Sequence, residues 1–160
     1  MEELQRYEIL DTFPEASFER LTRLVANILG TPISLISLLD HDRQWFKSHH
    51  GIDASETPLD LSFCRHAVEG DGVFEVSDAT KDARFADNAL VTGEPGIRFY
   101  AGAPLKMPSG VPVGTLCVID KLPRRAMQAS EKQILTDLAA VVVDEMELRL
   151  QIRKSKRDAQ

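Results

Sequence analysis

At 160 residues the chain is long enough for one domain with a substantial core, and 43% apolar with 28% charged residues is ordinary for a globular protein. With 19 Lys+Arg against 25 Asp+Glu, the formal net charge of −6 excludes general nucleic-acid binding, which needs a basic surface to displace counterions from phosphates. Two cysteines, Cys64 and Cys117, exclude a disulfide framework and point to a reduced, cytoplasmic setting, while the acidic start MEELQRYEIL lacks the features of a signal peptide.

From Pro14 to Leu29, Phe18, Leu21, Leu24, Val25, Ile28 and Leu29 recur at helical spacing, and Gly30 is placed to end that helix. Ile33 to Leu39 is rich in branched side chains and bounded by Pro32 and Asp40, which predicts a strand covered on both faces. Gln44 to Ser48 reads as its returning partner, with the turn near His41-Asp42-Arg43. A short helix is predicted over Leu61 to Glu69, then a brief strand over Val73 to Val76. Lys81 to Val91 reads as an irregular or one-turn-helical connection, punctuated by Gly93, Pro95 and Gly96. Arg98 to Lys106 and Val111 to Ile119 make a hairpin across Pro108-Ser109-Gly110.

After Pro123 a long helix is expected from an N-cap at Ser130 to about Ile152. One stripe runs through Ile134, Leu138, Val141, Glu145, Leu148 and Ile152; beside it lie Leu135, Val142, Met146 and Leu150. So wide an apolar face on so long a helix suggests pairing with a second copy through Leu138, Val141, Val142, Leu148 and Ile152, with Glu145 tuning register. The basic residues Arg149, Arg153, Lys154, Lys156 and Arg157 complement the negative helix end or solvate it. No stretch approaches the ~20 apolar residues of a spanning helix. Short links between neighbouring strands favour an α+β fold around an antiparallel sheet, with the terminal helices on one face and room for a pocket on the other.

In content, order and spacing, TPISLISLLD, RQWFKSHHGI, LSFCRHAV, VSDATKDARFADN, IRFYAGAPL and GTLCVIDKLPR resemble bacterial GAF domains, the small sensory domains found beside histidine kinases and cyclic-dinucleotide enzymes. The resemblance covers about residue 4 to residue 150. It implies five or six antiparallel strands, a ligand cavity closed by the connection around Asp78 to Val91, and a last helix leading to an output domain such as a histidine kinase or diguanylate cyclase. The division expected is a sensory domain over 1–150, with 151–160 as a basic helix end or linker. The motifs of specialised members are missing. The spaced Asn-Lys…Phe…Asp-Glu pattern of cyclic-nucleotide binders is absent, Arg65 separates Cys64 from His66 where bilin binders place Cys next to His, and two cysteines are fewer than methionine-sulfoxide reductases use.

Candidate ligand contacts on this reading are Phe46, Cys64, His66, Asp78, Phe85, Arg98, Tyr100 and Cys117. Arg98 and Tyr100 share one face of their strand, opposite Phe99, Ala101, Ala103 and Leu105, and an Arg with a Tyr suits a small anionic or aromatic ligand. Asp78 and an arginine are equally well read as a structural ion pair fixing the loop. Cys64 and Cys117 admit a redox role if they meet in space, yet both read more simply as small buried hydrophobes. None of His41, His49, His50 and His66 has metal-ligand spacing, and the sequence names no cofactor. The function expected is sensory, with no catalytic residues. A thiol-based redox sensor or reductase and a ligand-free dimerisation scaffold are the alternatives.

Overall fold

The computed structural model describes residues 2–159. Six strands form one antiparallel sheet in the order β3-β2-β1-β6-β5-β4: β1 (Ile33–Leu39), β2 (Arg43–His50), β3 (Glu56–Pro58), β4 (Phe74–Val76), β5 (Phe99–Lys106) and β6 (Pro112–Asp120). The α+β fold read from the sequence is the fold observed. β1 sits at the centre between β2 and β6, which explains its unbroken apolar run, since side chains of both parities are covered. The three-residue β3 carries no apolar alternation and was not foreseen.

Two helices cover one face. α2 (Ala16–Leu29) turns Phe18, Leu21, Val25 and Ala26 inward and ends at Gly30, whose N–H bonds to the Ala26 carbonyl. α5 (Ala129–Asp158) buries Leu135, Val142, Met146 and Leu150, the second of the two predicted stripes, together with Ala139. Its N-cap is Gln128 rather than Ser130, because Gln128 and Glu131 complete a reciprocal capping box. The helix crosses residue 150 without interruption and runs to Asp158, although Leu150 is its last buried residue.

α1 (Glu2–Arg6), a second unforeseen element, leads into a strap over residues 7–15. Leu4, Tyr7 and Ile9 tuck into the helix-side core. Glu8 (φ 53°) and Asp11 (φ 60°) are non-glycine residues in the left-handed region, at a cost of about 1–2 kcal/mol each. Arginines offset that strain: Arg149 bonds to the Glu8 carbonyl, Arg157 to its carboxylate, and Arg43 bidentately to Asp11.

The opposite face is built from short pieces. The helix predicted over Leu61–Glu69 is a 3-10 turn (Leu59–Leu61) followed by α3 (Cys64–Ala67). The connection after β4 holds a 3-10 turn (Ala79–Lys81) capped by Asp78 and the short α4 (Ala89–Thr92) capped by Asn88. A second core lies beneath them, containing Ile33, Leu35, Phe46, Phe63, Phe85, Tyr100, Cys117 and Ile119.

Candidate functional site

Between the sheet and this covering lies a cavity of about 500 Å³. Its floor is the second-face parity of four strands: Ile33 and Leu35 from β1, Phe46 from β2, Tyr100 from β5, and Cys117 and Ile119 from β6. Phe63 stands at one side. Residues 51–54 with Leu90, Glu94, Pro95 and Ile97 form the walls and mouth; of the 78–91 connection expected to close the cavity only Leu90 lines it, and Phe85 packs behind Phe63. Gly51, at φ +84°, lets the chain leave β2 across this wall; a methyl there would collide with the Pro32 carbonyl.

The interior polar groups are few and neutral. The Gln44 side-chain oxygen accepts from Ser37 Oγ and Ser62 Oγ, each at 2.8 Å, and its Nε2 donates to Thr57 Oγ1 at 2.7 Å. Among the described residues the second hydrogen of that amide has no partner, and Gln44 lines the cavity. Tyr100 lies along β5 over Gly102: a methyl at 102 would sit 2.6 Å from the phenolic oxygen. Its hydroxyl reaches Thr115 Oγ1 at 3.4 Å, and burial raises the phenol well above its ordinary pKa. The charged groups of the lining are Asp53, Glu94 and Lys121, all exposed at the mouth. No buried cation faces the interior among the described residues.

Of the eight sequence candidates, Phe46, Tyr100 and Cys117 line this cavity. Phe85 stands one layer behind, stacked on Phe63 with ring centroids 4.0 Å apart. His66 meets the edge of Phe85 at 5.0 Å, away from the cavity, and burial lowers its pKa. Asp78 accepts from the Thr80 N–H and hydroxyl, and among the described residues it makes no ion pair with an arginine. Arg98 lies one residue before β5, and its Nη1 donates to the Val91 carbonyl at 2.8 Å and the Ile97 carbonyl at 3.1 Å. It stitches the α4 segment to the sheet instead of facing the cavity. Sequence reasoning missed Gln44 and the 51–54 wall; the RQWFKSHHGI stretch that contains or abuts them was the available signal.

Cys64 is fully buried, its thiol 4.0 Å from the Ser37 carbonyl, and burial pushes its pKa up to about 11. Burial raises Cys117 further. Burial disfavours both thiolates, so neither cysteine is poised as a nucleophile. Among the described residues no three His, Cys, Asp or Glu side chains converge as metal ligands, and no helix is long and apolar enough to cross a membrane.

The GAF domain family matches residues 14–145. The chain belongs to it. A curated relative, a cyclic di-GMP phosphodiesterase of Pseudomonas aeruginosa, is 47% identical over 135 residues, which are 84% of this chain and 23% of that protein. The chain therefore spans about a quarter of that relative's length. Among solved structures, the free methionine-R-sulfoxide reductase of Neisseria meningitidis in complex with its substrate superposes with a TM-score of 0.69 at 16% identity, covering 93% of this chain and 88% of that one. The GAF domain of an Acinetobacter phosphoenolpyruvate-protein phosphotransferase gives 0.66 at 20% identity, covering 91% and 93%. At these identities the structural likeness is one of fold. A GAF domain is a regulatory and sensory fold, and the motif-level resemblance is thereby a family membership.

Proposed function

We propose that this GAF domain binds an uncharged, largely flat small molecule in the β-sheet cavity and passes its occupancy through α5 to an output domain. The supporting observation is the cavity itself: apolar and aromatic walls, a spare Gln44 amide hydrogen, and charges confined to the mouth. Burying an anion in the interior leaves its charge without a partner, because among the described residues the one cation of the lining, Lys121, is exposed at the mouth. The output proposed is cyclic-dinucleotide turnover, supported by the P. aeruginosa relative, with a histidine kinase as the other member of the class expected from the sequence. α2 and α5 also leave Leu24, Ile28, Val141, Leu148 and Ile152 exposed, which supports a homodimer through the terminal helices. Val142, fully buried in the chain's own core, contributes to stability instead of to that seam. A Leu148→Glu variant is expected to shift the protein to monomer in native mass spectrometry.

Ligand class is tested by thermal shift against uncharged heteroaromatic compounds and against cyclic mono- and dinucleotides. Saturation at about 100 times Kd stabilises by ~2.7 kcal/mol, a shift of several degrees. Stabilisation by heteroaromatics that vanishes in Leu35→Trp, which fills the cavity, is the expected result. Stabilisation by a nucleotide that vanishes in the same variant overturns the proposed class.

A further inference from the structure

The strap over residues 7–15 lies between β2 and the distal half of α5, and its fastenings connect the cavity wall to that helix. β2 carries a bulge: Ser48 faces Ile36 and Phe46 faces Ser37, so Lys47 is the extra residue. The bulge re-aims the strand, putting both Lys47 and Ser48 on the helix side, where Ser48 Oγ meets Thr22 Oγ1 of α2 at 2.7 Å. The Lys47 side chain is 0% exposed. Its ammonium donates to Thr12 Oγ1 at 2.8 Å, the Phe13 carbonyl at 2.7 Å and Glu15 Oε2 at 2.6 Å. The same Glu15 oxygen accepts from Arg149 Nε of α5 at 2.8 Å, and Arg149 Nη1 donates to the Tyr7 and Glu8 carbonyls. Immediately before Lys47 stands Phe46, in the cavity floor.

We propose that Phe46, Lys47, Glu15 and Arg149 form a relay through the sheet, by which the state of the cavity sets how firmly the distal half of α5 is held. The relay deepens the sensory reading above by naming the route of its regulation. A buried ammonium has no water to fall back on, so its three bonds to the strap are kept together or lost together. That gives the strap two discrete arrangements for a ligand to bias. Tyr7 of the strap donates to Glu147, and beyond Leu150, where no side chain of α5 is buried, Arg157 binds the Glu8 carboxylate at 2.8 Å. The backbone of Glu8 and Asp11 is already strained, so loosening Arg149 removes a contact that keeps Glu8 in place.

Hydrogen exchange on the full chain, with no ligand added, tests the relay. Phe46→Leu trims the cavity floor directly before the bulge. Amides of residues 7–15 and 147–157 are expected to exchange roughly fivefold faster than in the unaltered chain, through local opening. In a Glu15→Ala background, where the shared acceptor is gone, Phe46→Leu adds nothing at those amides. Ile119→Val trims the cavity from β6, away from the strap, and is expected to leave them unchanged. Equal acceleration by Phe46→Leu with and without Glu15, no acceleration at all, or acceleration by Ile119→Val overturns the proposal. Failure of the relay leaves ligand binding by the cavity intact, and absence of ligand binding leaves this coupling measurable, so the two ideas fail separately.

Discussion

The two faces of one sheet are built to different ends. On the helix side, Ile36, Leu38, Val118 and Leu116 meet α2 and α5 with exposure at or near zero, and two long helices supply a continuous apolar surface. On the other side, the alternating neighbours Leu35, Cys117 and Ile119 face short turns and loops that bridge over the floor without filling it. The same strands therefore present a packed core and an open cavity one residue apart. The period-two pleat lets stability and binding be encoded separately along a single strand.

Paired truncations on the neighbouring strands β1 and β6, one on each face, break or sharpen that contrast most strongly. Leu116→Ala removes methyl groups from the packed side and is expected to cost about 3–5 kcal/mol in denaturant unfolding. Leu35→Ala, on the cavity side, is expected to cost about 1–2 kcal/mol, because the space it borders is already open. Equal losses would mean that the two faces are packed alike.

Gly102→Ala has an effect on stability similar to that of Leu35→Ala and a directed one on the cavity. The new methyl would lie 2.6 Å from the Tyr100 oxygen and 3.0 Å from two of its ring carbons, so the phenol must move. About 1–2 kcal/mol of destabilisation is expected, together with a reduced thermal shift by any compound that binds the cavity. A variant that unfolds normally and binds unchanged would remove Tyr100 from the site.

The smallest effect concerns the strap. Against desolvation, which raises it, hydrogen bonds from Lys47 and Arg149 hold the Glu15 carboxyl below its ordinary value. A depressed folded-state pKa contributes stability that is present above the unfolded value of about 4.3 and is lost as pH falls through the folded one. With its side chain 36% exposed, solvent screening limits the contribution to below about 1 kcal/mol. Glu15→Gln is accordingly expected to flatten the acid limb of a stability-against-pH curve and leave its neutral region nearly level, apart from the lost pairing.

Much of the fold was legible because its strands and long helices have a period. The alternation of Phe99, Ala101, Ala103 and Leu105 against Tyr100 places the phenol on the cavity side correctly. The same parity misdirects Arg98, because it precedes the pleated segment and its long side chain turns to the Val91 carbonyl. Loop residues have no period at all, so the 51–54 wall was signalled only by the motif that runs into it, and the five-residue α1 by nothing. The Lys47 bulge was hidden for another reason. A lysine in an otherwise buried strand reads as an exposed position, and only the three-dimensional meeting with Glu15 explains it.

The cavity's occupancy is tested most directly by native mass spectrometry of the freshly purified chain beside its Leu35→Trp variant, each compared with its denatured mass. Retained mass in the unaltered protein, lost on denaturation and missing from the variant, is the result predicted for a small-molecule sensor, and that mass would give the ligand's size. Native and denatured masses that agree in both proteins would contradict a cavity occupied by a ligand.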